Sequence, residues 1–169
     1  MIDGMTTRVC ERCNGRIMPS SPVGTRYCST RCRVAAFRAG SVPVRLRQQR
    51  RWVRADGKRP ITVAGLPASS TNPDSWDSWT SVRGSKVGDG WGFMLGGGIG
   101  CYDFDHVSDE QARVLIAEVP ERVLYVERSM SGEGVHVFVE AEEGPGWRRA
   151  GVERYTRARF IRMTGRVFD

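Results

Sequence analysis

The sequence predicts an α+β fold with a mainly antiparallel sheet and flanking helices, preceded by a small N-terminal module. Two observations predict the body of this fold. Its short segments have strand-like composition, and glycine-containing turns join them with few helical stretches in between. A third observation predicts the module, because four of the five cysteines form two close pairs within residues 10–32.

Composition and charge limit the classes of protein that the chain can represent. It has 169 residues, of which 40% are apolar and 27% are charged, and this balance excludes a disordered chain. The formal net charge is +7, and residues 1–60 carry 14 lysines and arginines against three acids. Nearly all of this positive charge is arginine, whose planar fork suits phosphate groups. We therefore expect a polyanionic partner for the first part of the chain.

The four N-terminal cysteines have metal-ligand spacing. Cys10, Cys13, Cys28 and Cys32 follow the pattern C-x2-C-x14-C-x3-C, which lets four thiolates converge on one zinc ion. A segment this short buries little apolar surface, so metal binding would supply the missing folding energy. We predict a zinc module over residues 1–40, with a short helix from about residue 31 to 38 carrying the last ligand. The alternative is four unrelated buried thiols.

No segment predicts export or membrane insertion. The chain has no run of roughly 18 apolar residues, and its first ten residues lack an apolar signal region. We therefore expect a cytoplasmic protein whose cysteines are thiols or metal ligands rather than disulfides. Cys101, far from the other four in an apolar strand, is interpreted as a small core residue.

A basic segment, residues 41–51, separates the module from the body and is interpreted as a linker or an exposed helix start. Its four arginines are compatible with contacts to a phosphate backbone and equally with a solvated face. The sequence leaves these two interpretations open for Arg45, Arg47, Arg50 and Arg51.

The sequence of the body, residues 52–169, predicts two helices and seven strands. Residues 74–82 predict a helix with Trp76 and Trp79 on one face, and residues 108–118 predict a helix capped by Ser108. Strands 91–95 and 100–105 are predicted to form a hairpin around three glycines. The other predicted strands are 61–63, 123–127, 135–140, 152–155 and 160–163.

The segment Cys101-Tyr102-Asp103-Phe104-Asp105-His106 carries the strongest chemical signal. In a strand, alternate side chains share a face, so Asp103 and Asp105 point one way while Tyr102 and Phe104 point the other. Two carboxylates on one face repel each other unless a cation lies between them. Mg²⁺ or Mn²⁺ would satisfy both. The alternative is two solvated aspartates at a strand end.

Two further segments add to this signal. Ser129 to His136 links two predicted strands, and its glycines and serines suit close approach to phosphate oxygens. His136 is either a phosphate donor or a strand histidine with a local partner. Glu153 lies in another predicted strand and is either a third carboxylate of the site or a surface glutamate.

Taken in order, D-F-D, S-x-S-G-x-G-x-H, V-E-x-Y and R-F-I-x-x-T-G resemble the archaeo-eukaryotic primase superfamily, and most closely its bifunctional primase–polymerase domain of phages and plasmids. The similarity covers residues 52–168. The stretch RYCSTRCRVAAFR likewise resembles treble-clef zinc fingers, and zinc-binding modules often accompany such primases.

The resemblance implies a sheet of RRM-like, primase–polymerase type and a set of roles. Asp103, Asp105 and Glu153 would bind catalytic Mg²⁺ or Mn²⁺. The incoming nucleoside triphosphate would contact Ser129, Ser131, Gly134 and His136. The expected partners are a single-stranded DNA template, nucleoside triphosphates and a separate helicase or replication protein, because the chain has no Walker A motif. A phage-encoded protein would act in the host cytoplasm.

The first interpretation is therefore a DNA primase/polymerase, a nucleotidyltransferase that acts in DNA replication by a two-metal mechanism. The alternative is a non-catalytic zinc-finger module that binds nucleic acid and carries a degenerate or split primase-like body. A metal-dependent nuclease or nicking enzyme is disfavoured, since His106 and His136 are the only histidines and form no paired metal motif.

Overall fold

The computed structural model describes residues 8–10, 15–39 and 42–168, and the side chains of residues 35–39 lie outside that description. The chain divides into two compact units, Met1–Ser41 and Val42–Asp169. The boundary between them lies one residue beyond the end of the cysteine module predicted from the sequence.

The first unit contains one helix among its described residues, α1 (Thr30–Ala39). Cys32 lies in the first turn of α1, in agreement with the helix predicted from residue 31 to 38. The backbone N–H of Cys10 donates to the carbonyl oxygen of Gly15 at 2.9 Å. Cys10 and Gly15 therefore lie side by side, and the side chain of Cys10 is fully buried.

The second unit contains three helices, one 3-10 turn and nine strands among its described residues. The helical elements are α2 (Val44–Arg47), the 3-10 turn Pro73–Ser75, α3 (Trp79–Gly84) and α4 (Asp109–Ala117). The strands are β1 (Trp52–Asp56), β2 (Arg59–Ile61), β3 (Gly90–Met94), β4 (Ile99–Phe104), β5 (Val123–Arg128), β6 (Val135–Glu140), β7 (Trp147–Arg149), β8 (Val152–Tyr155) and β9 (Phe160–Met163). Across the described ranges of both units, no helix has the length and apolar character needed to cross a membrane.

The strands form two sheets. One has the order β2-β1-β3-β9, and the other has the order β5-β6-β4-β8-β7. Every strand pair in the described part of the chain is antiparallel. This confirms the predicted α+β class with mainly antiparallel pairing, although the strands are divided between two sheets.

The main hydrophobic core contains side chains from both sheets. Trp52 and Phe93 come from the four-stranded sheet, and Cys101 and Phe138 come from the five-stranded sheet; all four are fully buried. Burying one large side chain of this kind contributes about 1.5–3 kcal/mol. Cys101 is therefore a core residue, as predicted, and its burial raises the pKa of its thiol well above the ordinary value.

Helix α4 covers the other face of the five-stranded sheet. Tyr102 and Phe104 project to this face, as the alternation along β4 predicted, and Ala112 of α4 belongs to the same buried cluster. Ser108 caps the helix: its hydroxyl accepts from the N–H of Gln111, whose side chain in turn accepts from the N–H of Ser108. The predicted helix and its cap are confirmed.

The predicted hairpin of strands 91–95 and 100–105 is wrong. Strands β3 and β4 lie in different sheets, although a tight turn with two backbone hydrogen bonds between Gly96 and Ile99 joins them. The three glycines of this turn have φ values of 130°, 62° and 83°. These left-handed conformations redirect the chain, and each strand then pairs with more distant segments.

The predicted helix over residues 74–82 is correct only from Trp79 onward. The structure has a 3-10 turn, then an extended segment, and then α3. The extended segment forms because Asp77 and Trp52 exchange two backbone hydrogen bonds, at 2.7 and 3.1 Å. As a result Trp76 and Trp79 do not share a face. Trp76 packs in a small separate cluster, whereas Trp79 packs against the main core.

Strands β1 and β7 had no sequence prediction, and β2 begins two residues before the strand predicted from residue 61. The basic segment 41–51 also differs from an exposed linker. From Val42 onward it belongs to the second unit, where Val42 and Leu46 are buried in the main core. Helix α2 forms around Leu46 and carries Arg45 and Arg47, which are both exposed.

Candidate functional site

A row of five ionisable side chains crosses the five-stranded sheet, with one residue from each strand. In the order β5-β6-β4-β8-β7, the row is Glu127, His136, Asp103, Glu153 and Arg148. Residues that are directly opposite each other on neighbouring antiparallel strands project to the same face. The adjacent row on that face is Tyr125, Phe138, Cys101 and Tyr155, which belong to or pack against the main core. One face of the five-stranded sheet therefore packs in the main core at one row of residues and carries the charged site at the next row.

A cavity of about 660 Å³ lies at the charged end of this face. Six of the predicted site residues line it: Asp103, Asp105, Ser129, Ser131, His136 and Glu153. Cationic side chains also line it: Lys58, Arg148, Arg159 and Arg162. Apolar groups complete the wall, including Pro60, Ala68, Met130, Phe160 and Ile161. The cavity therefore offers carboxylates, cations and an apolar surface together.

Asp103 has an unsatisfied carboxylate oxygen. Its Oδ1 atom is buried and accepts no hydrogen bond from the part of the chain that the structure describes. The Nε2 atom of His136 lies 3.6 Å from it, beyond ordinary hydrogen-bond length. Burial raises the pKa of Asp103, the nearby Asp105 and Glu153 carboxylates raise it further, and His136 opposes them. A divalent cation would satisfy such an oxygen.

Asp105 directly follows the last residue of β4 and has an exposed side chain. Its backbone N–H donates to the carbonyl oxygen of Gly151 at 3.3 Å. Asp103 and Asp105 therefore line one cavity with different environments, because Asp103 is mostly enclosed and Asp105 faces solvent.

Glu153 has cationic partners already. Its side chain forms ion pairs with Arg148 and, at 3.6 Å, with Arg159. It also accepts a hydrogen bond of 2.7 Å from the Tyr155 hydroxyl, and this bond raises the pKa of Tyr155. Glu153 is 6% exposed, so the surface-glutamate alternative is wrong. Both arginines therefore compete with a metal ion for this carboxylate.

The loop between β5 and β6 contributes the serine hydroxyls. The hydroxyls of Ser129 and Ser131 lie 3.1 Å apart, and the N–H of Ser129 donates to the carbonyl of Gly134 at 2.8 Å. Gly134 does not line the cavity. A Cβ atom there would lie 2.3 Å from the carbonyl oxygen of Phe104, so only glycine permits this approach of the loop to β4.

Sequence reasoning missed the cationic residues and Glu127. Arg148 lies in β7, which was not predicted, and Arg159 begins the motif R-F-I-x-x-T-G but was given no role in the site. Lys58 is one of only two lysines in the chain, a signal that could have drawn attention to it. Glu127 shares a strand face with Tyr125 at a spacing of two residues, and this alternation indicates its face but not the strand beside it.

The first unit contains a separate candidate metal centre. The ligand atoms of Cys10, Cys28 and Cys32 all lie within 4.8 Å of one another. The sulfurs of Cys28 and Cys32 are 3.6 Å apart. This distance is close to that between sulfurs that share a tetrahedral ion, so three converging cysteines can bind a metal such as zinc. Cys13, the fourth predicted ligand, lies outside the described residues.

The four arginines of the basic segment have unequal environments. Arg51 is held: its guanidinium lies 4.8 Å from the Trp76 ring centroid and donates to the Leu95 carbonyl oxygen at 3.2 Å. Arg45 is half-exposed and forms a 3.5 Å ion pair with Glu140. The remaining two, Arg47 and Arg50, have exposed side chains.

Comparison with known proteins found no match among protein-family models and none among curated proteins. The class of site is therefore defined by its geometry. The second unit has an acidic, histidine-containing cavity with a cationic wall, and the first unit has a cysteine cluster.

Proposed function

We propose that the second unit is a DNA-templated nucleotidyltransferase, a primase/polymerase that incorporates nucleoside triphosphates with Mg²⁺ or Mn²⁺. The observation that carries this proposal is the register of His136, Asp103 and Glu153 on three adjacent strands, with a buried oxygen of Asp103 that receives no hydrogen bond from the described residues. The motif order described above supports it and extends the site to Asp105.

Asp103, Asp105 and Glu153 would hold the divalent cations. When bound, these cations neutralise the triphosphate and favour ionisation of the attacking 3′-hydroxyl. The donor set fits, since hard divalent cations prefer carboxylate oxygens and Asp103 has one to offer. The pairing of Glu153 with two arginines would have to be exchanged on substrate binding. Phosphate oxygens are suitable new partners for both guanidinium groups.

The other side chains of the cavity would bind and orient the nucleotide. Lys58, Arg148 and Arg159 supply positive charge for the triphosphate, and the hydroxyls of Ser129 and Ser131 supply short-range hydrogen bonds. His136 would donate from Nε2 to a phosphate oxygen in its imidazolium form, in which both ring nitrogens carry a proton. Phe160 and Met130 offer apolar surface for the base or sugar. Fixed groups of this kind stabilise developing charge without reorganisation.

The template would be single-stranded DNA. The exposed Arg47 and Arg50, with Arg45, supply phosphate contacts on the second unit, and we propose that the first unit is a four-cysteine zinc finger that also binds nucleic acid. Strand separation would require a separate helicase. These assignments complete a two-unit replication protein with a primase–polymerase fold.

Primer extension and de novo synthesis on single-stranded DNA test the proposal. The wild-type chain should incorporate nucleotides with Mg²⁺ or Mn²⁺, and Asp103→Asn should lower the rate by about 10²-fold or more. His136→Ala should mainly raise the apparent KM. Asp109→Asn is the matched control, because Asp109 is exposed and pairs with Arg128 at 2.8 Å outside the cavity; it should retain full activity.

One observation favours the non-catalytic alternative: the Glu153 carboxylate already has two arginine partners, which neutralise its charge. If the wild-type chain incorporates no nucleotide with either metal but binds single-stranded DNA, the protein is a nucleic-acid-binding module with a primase-like body. Equal incorporation by wild type and Asp103→Asn would contradict the assigned role of Asp103.

A further inference from the structure

Glu127 is a fully buried carboxylate that none of the predicted roles uses. It lies on β5 at 0% exposure, in the row that contains His136 and Asp103. A carboxylate removed from water costs several kcal/mol unless hydrogen bonds or opposite charge compensate it. The contacts that compensate Glu127 therefore indicate its role.

Two of these contacts come from the backbone after β9. The N–H of Thr164 donates to Glu127 Oε1 at 3.1 Å and the N–H of Gly165 donates to Oε2 at 2.9 Å. The Thr164 hydroxyl donates to the carbonyl of Arg128 at 2.7 Å, next to Glu127 on the same strand. Gly165 has a φ of 71°, which favours glycine. This turn therefore binds both oxygens of Glu127 and holds the carboxylate in one orientation.

The third contact is with His136. Its Nδ1 atom lies 3.2 Å from Glu127 Oε1. An ionised carboxylate only accepts hydrogen bonds, so Nδ1 carries the proton and donates it. The opposite ring atom, Nε2, then faces Asp103 Oδ1 at 3.6 Å and the cavity. The His136 ring is therefore fixed at Nδ1 by Glu127, whose carboxylate is in turn fixed by the N–H groups of Thr164 and Gly165.

We propose that Glu127 is a positioning residue: anchored by the Thr164–Gly165 turn, it fixes the tautomer and orientation of His136 so that Nε2 faces the cavity beside Asp103. Carboxylate partners that orient metal-binding histidines affect affinity or activity by roughly 10- to 100-fold when removed, and we expect an effect of similar size for the phosphate-binding His136. The consequence for nucleotide binding rests on the proposed function, whereas the state of the ring does not.

Nitrogen-15 NMR of the full wild-type chain tests the state of the ring directly. At mildly alkaline pH, His136 should carry its proton on Nδ1, and this proton should exchange slowly with water. His106 is the internal control, since its side chain is 82% exposed and its ring proton should exchange fast. An unprotonated Nδ1 on His136 in the wild type would overturn the proposal, and this result does not depend on any variant folding.

Calorimetric titration with dATP and Mg²⁺ tests the consequence. Glu127→Gln and His136→Ala should each weaken binding by roughly 10- to 100-fold. The double variant should be no weaker than His136→Ala alone, because both changes remove one interaction. Glu121→Gln is the matched control: Glu121 is also a hydrogen-bonded glutamate, although only partly buried, but it bonds Tyr102 and Arg154 and does not line the cavity.

The outcomes separate the two proposals. Wild-type affinity in Glu127→Gln, or losses that add in the double variant, would overturn the positioning role. If the wild type binds no dATP while NMR finds the slowly exchanging Nδ1 proton, the proposed function fails and the positioning of His136 stands.

Discussion

Asp103 on β4 lies directly opposite Glu153 on β8, in register on two adjacent antiparallel strands. The chain separates these residues by 50 positions, and the sheet makes them neighbours on one face. Their environments differ, because Glu153 has two arginine partners while one oxygen of Asp103 has no hydrogen bond within the described ranges. This asymmetry makes Asp103 the residue whose replacement should have the clearest effect.

Replacing Asp103 by Asn should stabilise the metal-free protein. Burial raises the pKa of Asp103, so the ionised form is less stable in the fold than in water, and this penalty develops as pH rises through the folded-state pKa. At neutral pH with a chelator, Asp103→Asn should therefore raise Tm, because the neutral amide avoids this penalty. Thermal unfolding of both proteins measures this.

Added Mn²⁺ should then raise Tm for the wild type and leave Asp103→Asn unchanged, because a ligand stabilises only the state that binds it. Asp109→Asn is the control and should respond to Mn²⁺ as the wild type does. Equal metal-induced shifts in wild type and Asp103→Asn would show that the cation binds elsewhere.

The cysteine cluster should bind one zinc ion per chain. Cys28→Ser should lose most of the zinc, because the sulfurs of Cys28 and Cys32 lie together and removal of one thiolate leaves an incomplete site. The second unit should keep its Tm, since it forms a separate compact unit. Elemental analysis and thermal unfolding check both statements.

Cys101→Ala provides the contrast. Cys101 is buried in the core of the second unit, so this variant should retain zinc and lose stability. Wild-type protein purified without chelators and found free of zinc would contradict the assignment.

The exposed arginines should determine the salt dependence of single-stranded DNA binding. Arg47→Gln and Arg50→Gln should each lower the slope of log K against log salt by about 0.7 if each contacts one phosphate. Arg51→Gln should instead lower Tm, because Arg51 packs against Trp76 and bonds backbone carbonyls. Titrations at several salt concentrations measure the slopes, and unchanged slopes in both single variants would assign template binding to other residues.

Acid unfolding should depend on Glu121. Burial alone would raise the pKa of Glu121, but hydrogen bonds from Tyr102 and Arg154 outweigh it and lower the pKa below the ordinary value. A carboxylate whose pKa is lowered by folding stabilises the fold at pH values above its pKa in the unfolded chain, about 4.3 for glutamate. This stability is lost as pH falls through the pKa in the folded protein. Glu121→Gln should therefore be less stable than wild type at neutral pH, with the difference closing in acid.

Urea unfolding across this pH range measures the difference. A gap that stays constant from neutral pH to strongly acidic pH would indicate that Glu121 contributes through packing alone.

The sequence by itself determined the local features of this protein. The cysteine spacing predicted a cluster, of which Cys10, Cys28 and Cys32 come together. The alternation around Asp103 predicted which side chains face the core, and Ser108 marked the start of α4. These signals depend on neighbours within a few residues, where the geometry of helices and strands relates position to direction.

Only the tertiary structure decided the rest. The division into two sheets, the row from Glu127 to Arg148, the arginine partners of Glu153 and the anchoring of His136 by Glu127 all join segments far apart in the chain. Periodicity indicates which face a residue occupies but not which strand lies beside it. That choice depends on turns such as the three glycines after β3 and on packing across the whole core, which no local pattern records.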